Sequence, residues 1–151
     1  MNVDCINAFI SAGSVVLKQT TQKDVATGKA FIKTNGFIND TISLMIGLSG
    51  KIRGRVALNM DKGIALKIAS TMMGGFVVTD FDEMTASAVG ELANMIAGNA
   101  STILYNKGIG IEITPPSVVQ GSIFLSDDQV ICVPLTLADE GTIELNISIK
   151  E

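Results

Sequence analysis

Residues 142–150 alternate without a break: Ile143, Leu145, Ile147 and Ile149 fall on one side, Glu144, Asn146 and Ser148 on the other. A period of two is that of an extended strand with one face buried, so the chain must build a sheet with a covered face. Lys51 to Met60 has the same period, with Ile52, Val56, Leu58 and Met60 on the inner side and Lys51, Arg53, Arg55 and Asn59 on the outer. The β-rich run TISLMIGL (41–48) precedes it across the turn signal Ser49-Gly50-Lys51, and the two segments read as an antiparallel hairpin. Further strands are expected at Phe31–Phe37, at Ile111–Gln120 and at Gln129–Leu137. Pro115-Pro116 confine the second of these to an edge or force a bend.

The remaining segments have a helical period. Residues 3–20 place Val3, Ile6, Phe9, Ile10, Val15, Val16 and Leu17 at helical spacing, with Gly13 as a weak point, and 24–29 reads as a loop. Asp61 is a plausible N-cap for a helix to Met73 whose inner stripe is Ile64, Ala65, Ile68, Ala69 and Met72, stopped by Gly74-Gly75. Asp80 with Glu83 fits a capping box opening a third helix, residues 81–105, which Gly108 and Gly110 end. Helices and strands come in blocks rather than in βαβ alternation. The expected class is therefore α+β, a mostly antiparallel sheet packed with about three helices, in one domain covering 1–151.

Composition narrows the chemistry. With 47% apolar and 17% charged residues the chain is not disordered, and a net charge of −4 argues against nucleic-acid binding. No apolar run reaches the ~18 residues a membrane span needs, and no basic region precedes the first apolar stretch, so neither a span nor a signal peptide is expected. There is no histidine. That excludes Ser-His and Cys-His catalytic pairs, His-ligated zinc and a histidine acid/base. Cys5 and Cys132 are too few for a four-Cys metal site and are read as reduced, buried packing residues of a cytoplasmic protein. Lys51, Arg53 and Arg55 are read as a solvated strand face rather than an anion site, and Asp80, Asp82 and Glu83 as complements of a helix dipole rather than a metal cluster.

The helix over 81–105 is the informative element. At ~100° per residue, Met84, Ala88, Val89, Leu92, Met95, Ile96 and Ile103 form a broad apolar face. The back carries Ser87, Gly90, Glu91, Asn94, Ala97, Gly98 and Ser101, where a solvated helix would carry Lys, Arg and Glu. Glu91 and Asn94 alone rise from this smooth surface, three residues apart and so neighbours one turn apart. Two readings are open. The face packs inside the protein, which would oblige a buried Glu91 to find a cation. Alternatively, Ser87, Gly90, Gly98 and Ser101 form a platform on which a partner docks, with a carboxylate and an amide pointing into it.

The segment Glu91-Leu92-Ala93-Asn94-Met95-Ile96-Ala97-Gly98 resembles the Glu-x-x-Asn helix of the CheC/CheX/FliY chemotaxis phosphatases, most closely the CheX type. Ala65-Leu66-Lys67 through Met72-Met73-Gly74-Gly75, Asp82-Glu83 and Ile113-Thr114-Pro115-Pro116-Ser117-Val118-Val119 resemble the same family in order, so the likeness runs from about residue 41 to the end. The resemblance implies a cytoplasmic homodimer joined through its sheets that dephosphorylates a phospho-aspartate on a CheY-like response regulator. It implies that Glu91 pairs with a lysine of that receiver and that the Asn94 carboxamide holds the attacking water. It implies no cofactor or metal of the chain's own, the Mg²⁺ belonging to the receiver. Two-site relatives carry a second Glu-x-x-Asn helix. The nearest spacing here is Asp4 with Asn7, read as a capping or solvent-facing pair, so one site per chain is expected, and Asn99 is read as a structural amide. The alternative function is a non-enzymatic module of the same fold that binds a receiver or dimerises; the amide of Asn94 favours the phosphatase.

Overall fold

The computed structural model describes residues 2–33, 37–124 and 129–150. Helix α1 (Val3–Thr21) is followed by strands β1 (Val25–Thr27), β2 (Phe31–Lys33), β3 (Phe37–Gly50) and β4 (Arg53–Met60), helices α2 (Lys62–Met72) and α3 (Glu83–Asn106), and strands β5 (Ile111–Ile113), β6 (Ser117–Phe124), β7 (Val130–Leu137) and β8 (Gly141–Lys150). Among the described residues the strands form one antiparallel sheet in the order β1-β7-β8-β4-β3-β5, with β2 also on β7 and β6 also on β3. The fold is α+β as expected, and the β3–β4 hairpin is in register from Ile42↔Met60 to Leu48↔Gly54. The segment read as a loop contains β1, which pairs with β7. The strand expected over 31–37 is represented by β2 and the start of β3; residues 34–36 lie outside the described residues.

The main core lies between one sheet face and the three helices. Ile42, Leu44 and Ile46 of β3, Val56, Leu58 and Met60 of β4, Val133 and Leu135 of β7 and Ile143, Leu145 and Ile147 of β8 meet Phe9, Val16, Ile64, Ile68, Leu92 and Ile96 there. Gly13 is where α1 rests on β7: an added Cβ would come 3.1 Å from Leu135 Cδ1. The residue that weakens the helix in isolation lets it lie close to the sheet.

Asn59, Asn146 and Ser148 were expected on an outer, wet face, but all three are buried. The reason is that the second sheet face is covered as well, around Ala57, Ile123 and Val130. Buried amides need partners, and the strands take up the two NH₂ groups: Asn59 Nδ2 donates to Ser43 Oγ at 2.6 Å and Asn146 Nδ2 to Asn59 Oδ1 at 2.8 Å, while Asn146 Oδ1 is buried without a hydrogen-bond partner. This ladder ties β3, β4 and β8 together, and a one-residue slip would break it. Cys5 on α1 and Cys132 on β7 are free and buried. They lie on opposite sides of the sheet, and burial pushes each thiol up to about 11.

Candidate functional site on helix α3

The N-cap of α3 is Asp82, two residues beyond the expected Asp80. Its Oδ1 accepts from the Thr85 N–H at 2.9 Å and lies 2.8 Å from the Thr85 hydroxyl, which also reaches the Asp80 carbonyl at 3.0 Å. These bonds hold the Asp82 carboxyl below its usual range. At the other end Gly108 sits at φ 79°, with the Ile109 N–H on the Leu104 carbonyl and the Gly108 N–H on that of Tyr105, a Schellman stop. Lys51, read as part of a solvated face, donates from Nζ to the Gly108 carbonyl at 3.2 Å.

Between these caps, Val89, Leu92, Ala93, Ile96, Ala97, Ala100 and Leu104 are buried against the sheet and α1. The back of the helix is open. Ser87, Glu91 and Asn94 are exposed, while Gly98 and Ser101 are half-buried. A Cβ built on Gly98 meets nothing within 4 Å. Gly90 is buried: Val118 of β6 covers it, 3.5 Å from where a Cβ would stand, so it floors a groove rather than forming an exposed platform. Ala97, also expected on the back, faces inward.

Met84 and Met95, expected in the core, are 68% and 39% exposed. At ~100° per residue they lie about 20° and about 40° from Glu91, so they belong to the flank of the site. The buried stripe is narrower than the apolar pattern suggested because alanines fill it.

The facing wall is a feature that residue patterns alone did not assign to the site. β5 and β6 both pair with β3, Ile113 opposite Leu48 and Ser117 opposite Met45. Residues 114–116 therefore stand opposite two residues of β3 and bulge outward. The Thr114 N–H donates to the Gly47 carbonyl at 3.0 Å, and the Gly47 N–H donates to Thr114 Oγ1 at 2.8 Å. A Cβ on Gly47 would come 3.0 Å from Thr114 Cγ2, so glycine keeps the bulge in place. The signal was Pro115-Pro116, which pointed to an edge or a bend; the bend is what occurs. The result is an open groove of about 710 Å³ lined on one side by Glu83, Ser87, Gly90, Glu91 and Asn94 and on the other by Ile113, Thr114, Pro115, Pro116 and Val118. Its charged lining is acidic, Glu83 and Glu91, so it suits a cation on whatever enters.

The other candidates do not gather into sites. Asp4 and Asn7 are exposed on α1, with Asp4 Oδ1 3.6 Å from Lys107 Nζ. Asn99 is half-buried. Among the described residues no three His, Cys, Asp or Glu are grouped to hold a metal ion, and no helix is long and apolar enough to cross a membrane.

The family model described as chemotaxis phosphatase CheX matches residues 42–136, which include the hairpin, the Glu91–Asn94 helix and the Pro-Pro wall. The chain belongs to the CheX family. It is 31% identical over 152 residues to the CheY-P phosphatase CheX of Thermotoga maritima, covering 99% of this chain and 98% of that protein. Among solved structures, the crystal structure of the CheX-CheY-BeF3-Mg²⁺ complex from Borrelia burgdorferi matches at 32% identity and a TM-score of 0.84, over 99% of this chain and 100% of that one. A CheC-like superfamily protein from Shewanella sp. PV-4 matches at 31% identity and a TM-score of 0.87, each chain covered in full.

Proposed function

We propose that the chain binds a phosphorylated CheY-like receiver in the α3 groove and hydrolyses its aspartyl phosphate, Asn94 positioning the attacking water and Glu91 pairing with a lysine of the receiver. As a member of the CheX family it is a response-regulator phosphatase, a hydrolase. The observation that carries the residue roles is that Glu91 and Asn94 stand exposed, one turn apart, in an acidic groove whose far wall is fixed by Thr114 and Gly47.

Phosphoryl transfer passes through a loose transition state, so catalysis is mostly positioning and charge stabilisation and needs little general base. That suits a chain without histidine. The Asn94 oxygen accepts from the water while its NH₂ donates to a phosphoryl oxygen. Orienting one water this way is worth several kcal/mol. Glu91 gives a charge-assisted contact that sets the register of the two proteins. The Mg²⁺ and the phosphoryl group come with the receiver, and this chain supplies a narrow helix that reaches them, with Ser87, Gly98 and Ser101 small enough to let the receiver approach.

The working form is a cytoplasmic homodimer. Phe31 and Ile32 of β2, which among the described residues pairs only with β7, are 46% and 54% exposed, and an apolar edge strand is suited to pairing with a second copy. Light scattering at micromolar concentration gives a dimer mass; a monomer removes this part of the reading. The phosphatase reading is tested by phosphate release from purified receivers of the same organism, phosphorylated with a small acyl phosphate. At least one loses phosphate faster with the protein than alone. No acceleration with any receiver rejects the reading.

A further inference from the structure

The connection from Met73 to Asp82, between α2 and α3, carries Phe76 and Val77, exposed by 76% and 88%. Large apolar side chains left in water are informative when their backbone is fixed, and here it is fixed at both ends. Gly74 and Gly75 adopt φ 78° and 92°. They close α2 as a Schellman turn, the Gly75 N–H on the Ser70 carbonyl at 2.8 Å and the Gly74 N–H on that of Thr71 at 3.3 Å. The Ser70 hydroxyl donates to the Phe76 carbonyl, and the Thr85 hydroxyl reaches the Asp80 carbonyl at the far end. Phe76 and Val77, with Met73, Val78 and Met84, line a hollow of about 520 Å³ rimmed by Asp80 and Asp82. Met84 carries the hollow onto α3, next to Glu83 of the groove. It lies two turns before Glu91, about 20° from it around α3 and about 10 Å along the axis, on the flank that the groove leaves open.

We propose that this hollow is the second anchor of the docking surface: the receiver that sets its lysine against Glu91 lays an apolar side chain among Phe76, Val77 and Met84. The proposal rests on the reading of Glu91 and Asn94 as the receiver site and adds the residues that hold the partner away from the chemistry. Continuity names the occupant, since the two adjoin at the first turn of α3, where Asp82 and Met84 line the hollow and Glu83 lines the groove. Charge agrees, because the hollow's charged lining, Asp80 and Asp82, is acidic like the groove's Glu83 and Glu91, so one partner with basic groups suits both. A fixed backbone presenting exposed apolar groups lowers the ordering cost of association, and clustered apolar anchors carry much of an interface's energy.

The test is phosphate release measured against phospho-receiver concentration for the wild type, the double variant Phe76→Ser/Val77→Ser, the single variant Met84→Gln and Asn94→Ala, with circular dichroism confirming the fold and light scattering giving the mass. The double variant raises KM about tenfold or more with kcat within twofold. Met84→Gln, which keeps a good helix former on α3, moves KM the same way by a smaller factor. Unchanged KM in both variants overturns the proposal. So does a change of oligomeric mass in the double variant, which would make the hollow a contact between copies of this chain. Failure of the underlying reading looks different: Asn94→Ala then keeps full kcat, whatever the loop variants do.

Discussion

Helices α1 and α3 lie on the same face of the sheet, pack against each other, and each carries a carboxylate three residues before an asparagine. Their outer surfaces nevertheless differ in kind. On α1, Asp4 and Asn7 stand in the open near the helix start, with Asp4 beside Lys107. On α3, Glu91 and Asn94 stand mid-helix above small residues and face a rigid bulge. The motif is common and carries little by itself. A site requires the carboxylate and the amide to be held at one edge of a concave surface that a second protein can enter, and only α3 has the glycines behind and the prolines in front.

That comparison is broken most directly at the asparagines. Asn94→Ala lowers phosphatase turnover about 10²-fold, equivalent to about 2.7 kcal/mol, while binding of the phosphorylated receiver stays near normal; Asn7→Ala leaves both unchanged. Asn94→Asp does not restore turnover, because it sets a negative charge beside the phosphoryl group. Full activity in that variant would transfer the reaction to base catalysis. Glu91→Ala comes next, weakening the complex about tenfold in a titration, with a loss that shrinks as salt rises. Asp4→Ala, on an exposed pair, changes neither binding nor stability by more than about 0.5 kcal/mol.

Gly98→Lys blocks docking in the same titration yet melts close to the wild type, since the site is open and Lys is a good helix former. A loss above about 3 kcal/mol, the scale of core disruption, would make that face internal. Two of the helical glycines, Gly98 and Gly13, then separate by a smaller amount in denaturant unfolding. Gly98→Ala gains up to about 1 kcal/mol of helix propensity, whereas Gly13→Ala forfeits that gain against Leu135. A further effect appears only at high pH. Cys5 and Cys132 are raised to about 11 by burial, so the stability their neutral thiols contribute is complete below the ordinary thiol pKa near 9 and fades as pH climbs through 11. A pH series of melting temperatures checks the sign, and thiol reagents modify both residues only when the chain unfolds.

Much of this was written locally. The alternation at 142–150 and 51–60 determined the sheet, because a strand with one buried face has one pattern available to it. The cap at Asp61 and the stops at Gly74-Gly75 and Gly108 were legible because they satisfy backbone groups within a few residues. Glu91 and Asn94 stood out because the helix around them was too small and too uncharged for a solvated surface. Tertiary structure decided whatever depended on a neighbour remote in sequence. It buried Asn59 and Asn146, whose NH₂ groups are bonded across three strands. It turned Met84 and Met95 outward because Ala93, Ala97 and Ala100 already filled the space beneath α3. It made Pro115-Pro116 a wall because Gly47, 67 residues before Thr114, has no side chain to push Thr114 aside. Periodicity reports which way a side chain points from its own element; which surface meets it is set by the packing of all the others.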